Sequence, residues 1–410
     1  MRYMLCSLLI AAGGMWVSAA DWPQFRGPEG NGIYTGPALP SKWGIDTNVA
    51  WVTKVSGSGW SSPIIWNGQV YLTTAVNTDQ SLSLRAISFD QKSGKQVLDE
   101  LLFEIPTGKT ARIHSKNSHA SSTACAAGDS IVFHFGHNGT ACLDKTGKIV
   151  WKREGLYQRP VHGNGGSPII VNEKVIFSCD AADVQKVVAL DLKSGKTVWE
   201  TPRSVKAGRT FSFSTPTVLS QGDKTVVLSA GSNMIGAYEL ETGKEVWKSE
   251  FNGYSLIPKP LIHDATVYVA TGYDRPQVQA IRIGGTGDIT KTARAWDTNK
   301  AAPHTPSMLI VDGNLYMVSD GGILTCLDAK SGEIHWSERI KGKYSASLFA
   351  EKGKIYATSE EGNVTIVAPG KNFEVLSEID LKERTFASFG AVDGALFVRT
   401  ESKLYCFKTK

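Results

Sequence analysis

The chain has 410 residues, 41% of them hydrophobic and 20% charged, with a formal net charge of +5. This is the balance of a globular protein with a large core, and it is too mildly and evenly basic to indicate nucleic acid or an anionic membrane as partner. Glycine is frequent, with 41 residues at short intervals, which suits short strands and tight turns better than long helices.

Residues 1–20 read as a secretory signal: Arg2 supplies a positive start, Leu5 to Val17 an apolar run, and Ser18-Ala19-Ala20 a small-residue cleavage site. The run falls short of the roughly twenty apolar residues a membrane helix needs, and no later segment approaches that length. Cys6 precedes the run, too early to carry a lipid after cleavage. The expectation is a mature protein starting near Asp21, periplasmic or secreted, monomeric and without a transmembrane segment. Residues 21–47 form an N-terminal extension, and 48–410 one repeat-built domain.

The repeat is plainest in Gly165 to Pro202, Phe213 to Glu250 and His304 to Ile340. Each stretch holds four apolar runs of alternating pattern separated by turn residues, the mark of a four-stranded antiparallel sheet. Inner strands are marked by Pro63, Pro168, Pro216, Pro260 and Pro306, with Thr123, Ala346 and Ser388 in the degenerate units. The steps run from 40 to 48 residues, except for 60 between Pro63 and Thr123, which places an insertion between blades 1 and 2. Eight such units predict an all-β, eight-bladed β-propeller.

Three signals recur inside the unit. Ala86, Cys142, Ala189, Ala237, Ala280, Cys326 and Cys406 hold a small-residue position in the third strand. An acid-x-x-[Ser/Thr]-Gly turn follows, as in Asp90 to Gly94 and Asp191 to Gly195, with glycine taking the left-handed conformation. Then comes an outer-strand tryptophan: Trp151, Trp199, Trp247, Trp296 or Trp336. The last unit, Phe386 to Lys410, has only three strands, and the missing one with its tryptophan stands at the other end as Val49-Ala50-Trp51-Val52. Pairing the two closes the ring and leaves no free edge.

The Ala-x-Asp…[Ser/Thr]-Gly-Lys…Trp unit resembles the PQQ-like β-propeller repeat of the quinoprotein alcohol dehydrogenase-like fold. Asp21-Trp22-Pro23-Gln24-Phe25-Arg26-Gly27-Pro28 is similar to the start of its exported, single-propeller branch. For the enzymes of that group the resemblance implies PQQ in the central channel, Ca²⁺ beside it, a disulfide between adjacent cysteines and a Glu/Asn/Asp calcium set with a catalytic Asp. Here no two cysteines adjoin, and no positions match the calcium set. The outer-membrane assembly lipoprotein of the same fold implies a non-catalytic platform instead. The favoured reading is a platform binding an envelope protein, peptide or carbohydrate, with no cofactor assigned. The alternatives are a PQQ- and calcium-dependent oxidoreductase of alcohols or sugars, or a non-PQQ enzyme acting on glycans.

Loops between consecutive blades, and between second and third strands, share one face of such a propeller, here called the top. Five of the eight histidines fall in them: His114, His119, His137, His162 and His304. The candidate ligand-binding set is His114, Lys116, Asn117, His119, His137, Asn138, His162, Asn164 and Asp180, centred on blades 2 and 3. Imidazole, amide and carboxylate groups on a rigid scaffold can grip a sugar, a peptide or an anion. Trp60 is the aromatic candidate for stacking on a ligand. Gly163, Gly165 and Gly166 lack the strand and helix of a dinucleotide fingerprint, and no Gly-x-Ser-x-Gly, HExxH or CxxC occurs. No metal site is assigned.

Overall fold

The computed structural model describes residues 21–221 and 224–409. The expected signal segment lies outside them. The alternating runs pair into eight antiparallel sheets, the blades of a β-propeller. In chain order they span 64–106, 125–153, 169–202, 217–250, 261–298, 309–339 and 349–380, and the eighth combines 390–408 with Val49–Lys54. Blade 4 carries one extra short strand, Gly287–Asp288, running parallel to Glu245–Glu250. Among the described residues, no helix is long and apolar enough to cross a membrane.

The small position and the tryptophan of each unit prove to be direct cross-strand partners: Cys142 opposes Trp151, Ala189 Trp199, Ala237 Trp247, Ala280 Trp296, and Cys326 Trp336. A large indole beside a small side chain turns toward the next blade. There Trp151 Nε1 donates to Leu192 O at 2.8 Å, and Trp199 Nε1 to Leu240 O at 2.9 Å, each carbonyl following the turn's acid. The ring lies on the turn's glycine. At Gly195, with φ +67°, an added Cβ would stand 2.6 Å from the Trp151 ring. The acid holds the turn from within, Asp191 accepting from both the backbone and the hydroxyl of Ser194.

Blade 1 departs from the expected register. Its outer strand bulges once more than in the other blades, at Leu102; Ala86 faces Glu100, and the small residue two before the acid is Ser88, opposite Leu98. Leu98 takes the tryptophan's place and packs on Gly147 of the next turn. Pro306 and Ala346 likewise stand two residues before the common inner-strand position, held by Met308 and Leu348, and Thr123 and Ser388 stand one before it. The five cysteines of the described residues are buried and unpaired.

Closure follows the same pattern as the other seams. Trp51 faces Cys406, its Nε1 donates to Gln91 O at 3.0 Å, and its ring rests on Gly94. Buried Arg399 of blade 8 donates to Ser61 O and Thr73 O of blade 1. The N-terminal segment then crosses the bottom of the ring. Trp22 pairs with Ile65, Arg26 donates to Met308 O at 2.5 Å, Ile33 bridges Ala350, and the Tyr34 hydroxyl accepts from Gly394 N. Trp22 and Trp43 are thereby core residues.

Two outcomes test this. Deleting 48–55 should leave an unpaired edge and an insoluble product, and Trp51→Ala should cost about 3–5 kcal/mol in chemical denaturation; wild-type stability in the truncated chain would contradict the closure. The second concerns His134, buried against Phe177 with its Nδ1 2.8 Å from Thr140 Oγ1. Burial holds its imidazole neutral down to about 3, against an ordinary 6.5. Between these limits the unfolded chain takes up a proton that the native chain refuses, so stability falls as pH drops, by at most about 1.4 kcal/mol per unit. In His134→Gln the decline between pH 6 and 4 should be shallower, read from urea midpoints.

Candidate functional site

Because every inter-blade connection returns over the top, eight loops converge on the ring axis. They enclose a cavity of about 560 Å³ at the channel mouth, floored by Phe25 of the N-terminal segment. The extension that closes the bottom therefore leaves a pocket with one open end.

Its base is a ring of hydroxyls, each two residues ahead of the first residue of an inner strand. Ser62 N donates to Thr123 Oγ1, Thr123 N to Ser167 Oγ, and Ser167 N to Thr215 Oγ1, at 2.9–3.0 Å. On the far side Lys259 N donates to Ser307 Oγ, Ser307 N to Ser347 Oγ, Ser347 N to Ser388 Oγ, and Ser388 N back to Ser62 Oγ, at 3.0–3.1 Å. Lys259 is the one member without a hydroxyl. Its side chain is buried against Gly30, and burial with Arg26 nearby pushes its ammonium down to about 7.

Aromatic side chains form the wall above. Trp60 stacks on Phe386 at 4.6 Å, and Phe211 meets Phe213, Tyr254 and His162 at 5.3–6.1 Å. Arg209 lies over the Tyr254 ring at 4.4 Å. The insertion between blades 1 and 2 crosses the mouth as a strap. Lys116 at its tip reaches Glu360 of blade 7 at 2.8 Å and Asp320 of blade 6 at 3.7 Å. Asp320 also accepts from His304 N and from Thr305 N and Oγ1. At the strap's near side the Asn117 amide donates to His162 O at 2.8 Å, and the His114 and His162 rings meet edge to face at 5.5 Å.

The predicted residues thus divide. His114, Lys116, Asn117 and His162 line the pocket, with Trp60 and His304. His119, His137, Asn138 and Asn164 do not. They lie behind the strap, where burial lowers the His119 imidazole and, with His119 beside it, holds His137 down to about 4. Asn164 packs beneath Gly136 and donates to Gly166 O. Asp180 is committed elsewhere: fully buried, it receives Arg203 Nε at 2.8 Å and Nη2 at 2.7 Å, a pair that secures blade 3 to Ser229 of blade 4. The cavity itself is centred on the axis rather than on blades 2 and 3. Arg209, Phe211, Tyr254, Asp320 and Glu360 were missed because only polar groups of the early blades were weighed; the same loop rule applied to aromatics of the 3–4 and 4–5 connections would have found Phe211 and Tyr254. The hydroxyl ring was also readable, as a Ser or Thr at one position of seven units.

The pocket does not fit calcium-activated PQQ. The described cysteines are all buried and unpaired, so no disulfide of theirs can meet a quinone. The carboxylates at the mouth, Asp320 and Glu360, are engaged by Lys116, and no group of three His, Cys, Asp or Glu among the described residues could hold a metal ion.

Comparisons with known proteins agree with this architecture. The PQQ_2 family model, described as outer membrane protein assembly factor BamB, matches residues 113–291 and 285–372. The BamB of Moranella endobia (strain PCIT) is 27% identical over 244 residues, covering 54% of this chain and 57% of that protein. Across curated BamB relatives the chain spans about half to two thirds of their length. BamB from Moraxella catarrhalis superposes with a TM-score of 0.60 at 14% identity, over 88% of this chain and 99% of that one. A europium-containing methanol dehydrogenase gives 0.68 at 11% identity, over 96% and 99%. At such identities the solved structures speak for the fold alone. The family match, running from the strap through blade 7, covers well over half of the sequence, and the chain belongs to the PQQ_2 family of PQQ-like β-propellers.

Proposed function

We propose that this protein is a non-catalytic binding platform of the cell envelope, whose ligand enters the axial pocket at the top face. The supporting observation is the pocket itself: a one-ended cavity of about 560 Å³ with an aromatic wall, a hydroxyl base and a strap across its mouth. Aromatic faces supply contact area, and a few fixed polar groups supply orientation, the usual make-up of a small-ligand site. A sugar unit, or the end of a peptide, matches that size. The family name, an outer membrane assembly factor, supports a protein partner in the same compartment, with the pocket receiving a group that the partner presents.

The strap sets access. Lys116 has two carboxylate partners on the opposite rim, so the mouth is bridged as long as that contact holds. Lys116 is about a third exposed and its carboxylate partners are more sheltered, so the contact is modest, on the order of 1 kcal/mol, and partly screened by salt.

A screen of glycans and envelope-derived peptides against the purified protein should give a binder. Its affinity should fall at least tenfold in Trp60→Ala and Tyr254→Ala, remain unchanged in His263→Ala on the bottom face, and shift in Lys116→Ala. Equal binding by all four variants, with matched melting temperatures, would dismiss the axial pocket. Incubation with PQQ and Ca²⁺ followed by gel filtration should leave no stoichiometric quinone spectrum and no dye-linked oxidation of alcohols or sugars. Retained quinone with turnover would instead establish the dehydrogenase reading.

A further inference from the structure

The hydroxyls at the base of the pocket are half-used. Each accepts a backbone N–H from the preceding blade, and none of the seven donates its own proton to a protein acceptor among the described residues. All seven side chains are more than nine-tenths buried, from Thr123 at 2% exposure to Ser388 at 7%, and all line the cavity. A buried hydroxyl proton without an acceptor costs free energy, and here the cost is repeated around a ring. An acceptor on the axis would satisfy several at once.

The charge beside the ring has one sign. Lys259 fills the remaining ring position, and Arg26 follows the floor residue Phe25. Both are buried, and Arg26 Nε and Nη1 lack partners among the described residues. Neither cation has a carboxylate acting on it; burial is the main influence on each, with Arg26 adding to it at Lys259. The carboxylates of the pocket, at the rim, are already matched by Lys116. A metal cation at the base would meet the Arg26 charge and would push Lys259, already held down to about 7, further toward its neutral form. An anion would meet hydroxyl donors in front and positive charge behind.

We infer that the base of the axial pocket is an oxyanion site, taking the carboxylate, phosphate or sulfate group of the pocket's ligand or the free inorganic ion. This rests on the reading of the pocket as a ligand site and narrows it: the ligand carries an anionic head directed to the floor and an apolar or aromatic body against Trp60, Phe211 and Tyr254.

The test titrates the full protein by calorimetry with sodium sulfate, sodium benzoate and benzyl alcohol, at an ionic strength matched with sodium chloride. Sulfate and benzoate should bind saturably at one site, benzoate at least tenfold tighter than sulfate if the anion is the head of an organic ligand, and no tighter if the free ion is the occupant. Lys259→Ser, which installs the hydroxyl of the other seven units, should weaken both at least fivefold. Should that variant fail to fold, crystals of the unaltered protein soaked in bromide provide the second readout, with an anomalous peak expected inside the ring. Absence of saturable sulfate binding together with no bromide in the ring overturns the inference. So does benzyl alcohol binding as tightly as benzoate, which would leave the platform reading standing. Sulfate binding in a protein for which no glycan or peptide binder is found would separate the two the other way.

Discussion

The contact on which the ring depends is an indole of one blade laid on the turn glycine of the next. The main strands of neighbouring blades share no backbone ladder, so side-chain contacts must fix each blade's angle to its neighbour. Trp51, Trp151, Trp199 and Trp296 do this with two constraints at once: an Nε1–H to the backbone after the turn's acid, and a ring against a glycine that has no Cβ to push it away. Burying an aromatic side chain of this size is worth about 4–6 kcal/mol, more than the hydrogen bond adds. The hydrogen bond sets direction. Where the contact is altered, the neighbourhood compensates. Leu98 replaces the ring at one seam, and at another, where Trp247 Nε1 has no partner among the described residues, the strand Gly287–Asp288 pairs alongside.

Fixing the blade angle fixes the axis, and the axis makes the pocket. Inner strands arrive close together at the centre, and the residue ahead of each must satisfy its backbone without a sheet partner. A hydroxyl on the neighbouring blade does so, which explains why Ser or Thr recurs at that place. The same geometry turns the second half of each hydroxyl toward the channel. A structural requirement at seven seams thus produces a polar floor.

The N-terminal segment converts this open channel into a closed-bottom one. It runs from blade 1 across blades 5, 6 and 7 before supplying the last strand of blade 8, so the strand that closes the ring also pulls the floor into place. At the other end the strap uses the extra length of the first connection to reach across to blades 6 and 7. Its ties there are the ion pairs of Lys116, while its near side is held by amide and backbone bonds to His162.

Blade number, the tryptophan position, the glycine turns and the closure through Trp51 were legible in the amino-acid sequence, because each rests on a local pattern that repeats every forty-odd residues. Strand periodicity, a left-handed turn and a small-large pair across two strands are short-range constraints. Alignment slipped in blade 1, where Leu98 stands in place of the tryptophan that marks the other units: Ser88, two before Asp90, holds the small position read as Ala86. His114, Lys116, Asn117 and His162 lie at the mouth of the cavity, on the face to which topology alone assigns their loops. Only the tertiary structure decided what they meet. Lys116 and Glu360 are partners across the ring, Asp180 is consumed by Arg203, and seven hydroxyls from separate blades form one ring at the base of the cavity. These relations join residues from separate blades, and their distances are set by how eight sheets close on a common axis, a quantity that no single repeat contains.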